Sequence, residues 1–424
     1  MRNFALPLYI QRWTNRTNEN IETKMKKYLT FALMTLALSA NAQDKAAENG
    51  AKLQFTTIKA NPITPIKNQY KSGTCWCYAT LGFFESEVLR ATGKTVDLSE
   101  MFVANKNYLD EAIFHTRMHG MSRFSEGGSC DDALEMIKAH GVVPESVMAQ
   151  PGSMVGDTLA DFTEFFPSLE KYVASIAEEE HKELSPAWTN GVQGIIDAYM
   201  GKCPTSFTYE GKSYTPQTYA ASLGLNWNDY ISITSFTHHP FYEKFAIEAP
   251  YKWRWSLSHN VPLNDMMTII DEALDAGYTV AWGGDVSEDG FTRNGLALNV
   301  DNSSMKSLGG TDAARWLRLS KSERAAKLEA LGANTPEVTA SQERRQKRFD
   351  NWRMTYDHVM VIYGRAKDQN GKTYYMVKNS WGTNTHYDGT WYMSRNYIAD
   401  NTVYIFLNKN AVTKTMAKKV KLKI

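Results

Sequence analysis

Cysteine is scarce in this 424-residue chain, which holds only Cys75, Cys77, Cys130 and Cys203. A disulfide framework is excluded as its main staple, because folds that depend on disulfides carry them densely. If one thiol stays free for chemistry, the other three cannot all pair within one chain, so at most one bridge, between Cys130 and Cys203, is expected. Excess charge is missing too. Lys+Arg number 47 against Asp+Glu 46, a net +1, so no overall field favours nucleic acid or a membrane surface as partner. No segment repeats, no Gly-rich phosphate loop is present, and no Cys or His pair has metal-ligand spacing, so neither cofactor nor metal is expected. His238-His239 are adjacent, but neighbouring side chains diverge and no third ligand is evident. They read as a surface loop.

Long apolar runs are absent as well. Residues 28–38 are too few for a membrane span of roughly 20 residues. They follow the basic Met25-Lys26-Lys27 and precede Ala40-Asn41-Ala42, the three parts of a secretory signal peptide over residues 25–42. The expected product is exported, periplasmic or secreted, with no membrane span once the signal is removed. Residues 1–24 show no comparable pattern and read as a spurious extension upstream of a start at Met25. No cysteine follows the cleavage site, which argues against a lipoprotein. Residues 43–58 form a polar arm too short to fill a cleft as an inhibitory segment.

What the chain does contain is 43% hydrophobic and 12% aromatic residues, enough for one large core or two fused ones. Trp76, Ala79, Phe83, Phe84 and Val88 recur at helical spacing with Gly93 at the capping position, placing Cys75 at a helix N-terminus. Further helices are expected from Asp97-Leu98-Ser99-Glu100, over 131–139 before Gly141, over 169–181 and over 264–276. The period then changes. Residues 279–284, 359–363, 374–377, 389–393 and 403–407 read as strands, with Asp368-Gln369-Asn370-Gly371 as a hairpin turn. The expected fold is α+β: a helical catalytic lobe (59–150), an insertion (151–265) and a β-rich catalytic lobe (266–410). The charged stretch 303–353 reads as a solvated helical insertion without function. In the basic tail 411–424, Val420, Leu422 and Ile424 alternate with lysines, as an edge strand with one apolar face would.

Three stretches carry chemistry. Gln69-Tyr70-Lys71-Ser72-Gly73-Thr74-Cys75-Trp76 sets a thiol six residues beyond an amide, Asp357-His358 supplies an imidazole, and Asn379-Ser380-Trp381-Gly382 supplies a second amide. A thiol is nucleophilic as thiolate, favoured at a helix N-terminus and beside an imidazolium. His358 can take its proton, Asn379 can orient the ring, and Gln69 with the Cys75 N–H can hold a developing oxyanion. Each residue alone has a plainer reading: Cys75 as a small core residue, His358 as a strand histidine, Asn379 as a turn residue. Cys77, about 200° further round the helix, faces away and reads as core.

Taken jointly, these motifs resemble the papain-like cysteine peptidases, and the long insertion resembles the bleomycin hydrolase and aminopeptidase C branch, over residues 59–409. The resemblance implies a two-lobed fold and a peptide substrate. It makes Gln69 the oxyanion residue, Cys75 the nucleophile, His358 the base and Asn379 its orienting residue. It also makes Trp381 the shield of the Asn–His bond and Gly127-Gly128 a backbone edge that pairs with substrate, with Trp76 beside them. As a plainer alternative, the two glycines form a tight turn. Ser72 and Ser125 stand where secreted papain-like enzymes carry a bridged cysteine pair, which favours the same branch. In that branch the chain's terminal carboxylate anchors the substrate amine, and the resemblance alone implies a homo-oligomer, a hexamer. The basic tail fits that anchoring role poorly, so aminopeptidase and endopeptidase action both stay open. The rival from another class is a nonhydrolytic binding protein, against which the complete triad and the neutral charge argue.

Overall fold

The computed structural model describes residues 52–148, 154–155, 159–181, 183–305, 316 and 318–424. The expected signal peptide over 25–42, the residues upstream of it and most of the expected arm lie outside this set. Residues 54–325 and 335–424 form one compact unit, which carries the sheet and the cleft described below; residues 326–334 belong to a second one.

The first half is helical. Helix α1 (Cys75–Thr92) is followed by α2 (Glu100–Arg117) and α3 (Cys130–His140). Gly93 ends α1 at φ 73°, a left-handed C-cap that glycine adopts without a Cβ clash. Ser99 caps α2 by accepting from the Phe102 N–H, and α3 carries a capping box between Ser129 and Asp132. The expected insertion supplies hairpin β2–β3 (Met154–Val155, Leu159–Ala160), helices α4 (Phe165–Ala177) and α5 (Ala187–Met200), hairpin β4–β5 (Phe207–Tyr209, Lys212–Tyr214) and α6 (Pro216–Ser222). Its last third, however, belongs to the sheet.

That sheet joins β1 (Thr56–Ala60), β6 (Tyr230–Thr234), β7 (Lys244–Ala246), β8 (Leu257–Asn260), β9 (Val280–Gly284), β10 (Leu296–Ala297), β11 (His358–Lys367), β12 (Thr373–Lys378), β13 (Thr390–Ser394) and β14 (Thr402–Asn408). Their order is β10-β13-β12-β11-β9-β14-β6-β8-β7, with β1 also on β11. The expected antiparallel pairing holds through its centre, while β10–β13 and β6–β8 are parallel. The fold is α+β, as expected.

Strand alternation sorts the two cores. Val359 and Val361 of β11 and Tyr404 and Phe406 of β14 face a core shared with Trp76, Phe83 and Phe84 of α1. Met360, Ile362, Ile405 and Leu407 face the other, shared with Met266, Ile269 and Ile270 of α7 (Leu263–Asp275). The helix bearing Cys75 thus packs directly on the strand bearing His358.

Two expectations are corrected. The tail is not an edge strand: residues 414–419 form a helix, capped when Thr413 accepts from the Met416 N–H. Met416, Ala417, Val420 and Leu422 are buried in the α7 core, so helical spacing, not alternation, describes that apolar face. Nor is 303–353 uniformly solvated. Beyond the helices Asn302–Met305 and Lys321–Leu331, the helix Gln342–Asp350 buries Arg345 completely. Its guanidinium donates to the carbonyls of Ala399 (2.8 Å) and Thr402 (2.7 Å), which gives a buried cation the acceptors it requires. All four cysteines are free, so the optional bridge is absent.

Candidate active site

Cys75 opens α1 because Thr74 turns the chain there, its carbonyl accepting from the N–H of Cys77 (2.9 Å) and Tyr78 (3.1 Å). His358 opens β11, and hairpin register does the rest. Val361 lies opposite Lys378; continuing that register by three residues sets His358 opposite Trp381. Their rings lie 4.8 Å apart. The segment before the nucleophile joins the same corner, since Gln69 N–H donates to Ser380 O (2.9 Å) and Gly382 N–H to Lys67 O (3.1 Å).

Hydrogen bonding fixes the imidazole's tautomer. Asn379 Oδ1 accepts from the Ser380 N–H at 2.8 Å, so the atom facing His358 Nε2, also at 2.8 Å, is an acceptor. Nε2 therefore carries the proton, and the lone pair of a neutral ring stands on Nδ1. Gln69 is held in the same way: its Oε1 accepts from Ser380 Oγ (2.6 Å) and its Nε2 donates to Ser72 O (2.7 Å).

Cys75, His358, Gln69 and Trp381 line one cleft of about 860 Å³ together with Gly127 and Gly128. Asn379 stands behind His358, 2% exposed. Trp76, expected beside the substrate, is fully buried and outside the lining. It supports the glycines from behind: its Nε1–H donates to Glu126 O (2.9 Å), and a Cβ on Gly128 would come within 2.9 Å of its ring. The tight-turn alternative for the glycines does not describe this wall position.

Burial decides the protonation states. It pushes the Cys75 thiol up to about 12, against the N–H groups of Val359 and Trp76. It pulls His358 down to about 4, against the bond to Asn379. Desolvation opposes the thiolate that a helix N-terminus favours. Burial thus works against the charged form of both groups.

The cleft also contains residues that the motifs did not flag. Asp357 lies beside His358, its carboxyl raised to about 7 by burial and then by Asp285. Glu126 lines the cleft, accepting at Oε2 from the Gly73 N–H (2.5 Å). Phe166, Glu170 and Ala174 of α4, with Glu178 just past its end, also line the cleft. They recur every four residues, one helix face. A repeat of mixed character does not stand out from an ordinary solvated face in sequence.

The His238-His239 loop does have a third acidic neighbour. Glu248 lies 3.0 Å from His238 Nε2 and 2.9 Å from His239 Nε2. Gln346 Oε1 accepts from the Thr237 N–H (2.5 Å), so its Nε2 donates to His238 Nδ1 (2.9 Å). His238 Nε2 thus keeps its proton and donates to Glu248. The trio is a hydrogen-bonded loop clamp, and His238 lacks the bare Nε2 a metal would take.

A helix-borne thiol sharing a cleft with a strand-borne imidazole, with an amide behind the ring, is the layout of a papain-like cysteine peptidase. Comparison of the sequence agrees: residues 8–424 match the Peptidase C1-like family, and the chain belongs to that family. It is a cysteine peptidase. It is similar to Aminopeptidase G of Lactobacillus delbrueckii subsp. lactis, 21% identical over 94% of this chain and 92% of the relative. It is also similar to the mitochondrial Cysteine proteinase 1 of Saccharomyces cerevisiae, 22% identical over 92% and 85% respectively. In fold it resembles the crystal structure of pepw from Lactobacillus rhamnosis hn001, with a TM-score of 0.62 and 19% identity over 99% of this chain and 96% of that one.

Proposed function

We propose that this peptidase acts through Cys75 as an aminopeptidase. The observation that carries the assignment is the His358 Nε2–Asn379 Oδ1 bond of 2.8 Å, which leaves Nδ1 as the ring's base on a residue sharing the cleft with Cys75 and Gln69. Cys75 Sγ attacks the scissile carbonyl carbon as its proton passes to His358 Nδ1. The carbonyl oxygen, now an oxyanion, is held by Gln69 Nε2–H and the Cys75 N–H. The C–N bond breaks, the imidazolium protonates the leaving amine, and a thioester remains. Water, deprotonated by the same ring, then hydrolyses it. Gly127-Gly128 offer backbone to an extended peptide.

Similarity to proteins named aminopeptidases supports action at a free amino terminus. A second reading, endopeptidase, is favoured because none of residues 411–424 lines the cleft, so the terminal carboxylate implied by the resemblance does not close it. One peptide offered with free and with acetylated amino terminus separates the two. Cleavage of the free form alone is expected, with none by Cys75→Ala; equal cleavage of both forms would establish the endopeptidase.

Export is part of the proposal, on the three-part pattern of residues 25–42. The protein isolated from its own cells should begin at Gln43, and a mature form that keeps residues 25–42 would refute export. A homo-oligomer, hexameric by the same resemblance, is proposed too; light scattering at one chain's mass would contradict it.

A further inference from the structure

Resting on the aminopeptidase reading, we propose that the Glu126 side chain is the anchor for the substrate's cationic amino terminus. In an aminoacyl substrate the amine is two bonds from the carbonyl that Cys75 attacks, so its anchor must stand beside the nucleophile. Glu126 does. Its Oε2 is held by the N–H of Gly73, two residues before Cys75 and therefore within about 7 Å along the chain. Its backbone is pinned as well, the carbonyl accepting from Trp76 Nε1–H (2.9 Å) and Tyr108 Oη–H (3.2 Å). Gly127-Gly128, the edge offered to the peptide, follow directly. Oε1 takes no hydrogen bond from the described residues and belongs to a side chain that lines the cleft.

The surroundings favour a cation at this place. Glu170 and Glu178 line the same cleft from α4 and its end, and their exposed carboxylates add negative potential. Of the cations lining the cleft, Lys71 is engaged by Asp161 (3.3 Å), and Arg123 donates to Tyr251 Oη (2.9 Å) while lying 4.4 Å over its ring. Neither neutralises Glu126. No residue of 411–424 reaches the cleft, so this side chain fills a role that the chain terminus leaves open.

A pH dependence follows. The groups facing Glu126 are Asp161, Glu170, Tyr108 and the Gly73 N–H. Burial, then Asp161 and Glu170, lift its carboxyl to about 7 against the Gly73 N–H. The anchoring charge is present above that value and lost below it, so KM for a free-amine substrate should rise as pH falls through about 7.

The test compares alanyl-coumarylamide with its N-acetyl form, using the full chain and Glu126→Gln. The glutamine retains an oxygen for the Gly73 N–H and loses only the charge. The ratio of kcat/KM, free over acetylated, should fall at least about tenfold, the scale of one charge-assisted hydrogen bond, and the KM rise below pH 7 should vanish. A ratio that persists in Glu126→Gln overturns the anchor and leaves the aminopeptidase standing; a purely structural role would lower both rates together and leave the ratio intact. A KM rise retained in the variant belongs to Asp357 and equally overturns the anchor. Equal cleavage of both substrates by the unaltered chain defeats the aminopeptidase reading itself.

Discussion

At the scale of single residues, the candidate site is governed by burial. His358 must be neutral to accept the thiol proton, and its value near 4 keeps it so across the neutral range. The acid limb of kcat is therefore expected near pH 4, with activity lost as pH falls through it. A limb at the ordinary imidazole value of about 6.5 would contradict the buried ring. Asn379→Ala removes the orienting bond and the influence that raises the ring's pKa. We expect kcat to fall about tenfold to a hundredfold, from a bond of about 1.5–3 kcal/mol, with the limb moving lower still. Loss of the Gln69 donor in Gln69→Ala should cost about 10²–10³ in kcat, as oxyanion donors do. The two glycines should respond differently. A Cβ on Gly128 meets the buried, hydrogen-bonded Trp76 ring at 2.9 Å, whereas one on Gly127 meets the ring of half-buried Tyr251 at 2.3 Å. Tyr251 is only half-buried, whereas Trp76 is fully enclosed. Gly128→Ala should therefore destabilise by about 1–3 kcal/mol, and Gly127→Ala by less, as denaturant midpoints would report.

At the scale of elements, legibility followed periodicity. The helices opening at Cys75 and Glu100 and the strands around His358 and Val403 carry strong patterns and caps, and they stand where the sequence places them. The site's partners were legible for a related reason: Cys75, His358, Asn379 and Gln69 stand in short motifs on or beside those strong elements, and the motifs point to one chemistry when taken jointly. What escaped was set by tertiary context. Val420 and Leu422 follow a lysine-rich helix that no alternation signals, and their burial depends on α7 being there to cover them. The helix Gln342–Asp350 looks solvated because six of its nine residues are charged. Only the fold brings the carbonyls of Ala399 and Thr402 to Arg345. Arg345→Ala would orphan those carbonyls and leave a cavity, a loss on the order of 3–5 kcal/mol. Unchanged thermal stability would show that this helix is the dispensable surface its composition suggests. Glu126 and the α4 face escaped because an acid before a glycine pair, or every fourth residue of an exposed helix, has no signature of its own.

At the scale of the whole molecule, the sheet separates two tasks. One face packs against α1 and carries the cleft; the other packs against α7 and the chain's last residues. Lys419 pairs with Asp265 of α7, and Thr413 Oγ1 donates to Glu272 (2.9 Å), so the tail belongs to the stabilising face. Removing residues 418–424 takes Val420 and Leu422 out of that core. It should lower stability by about 2 kcal/mol or more, while the preference for a free amino terminus stays as it was. A preference relaxed by this truncation would place the tail in the cleft after all. The most direct measurement for the molecule is alkylation with iodoacetamide, followed by peptide mapping and paired with hydrolysis of a free-amine peptide. Label on Cys75 should track the loss of activity one for one, with Cys77, Cys130 and Cys203 unlabelled at that point and Cys75→Ala inactive. Hydrolysis by Cys75→Ala at the unaltered rate would contradict the assignment outright.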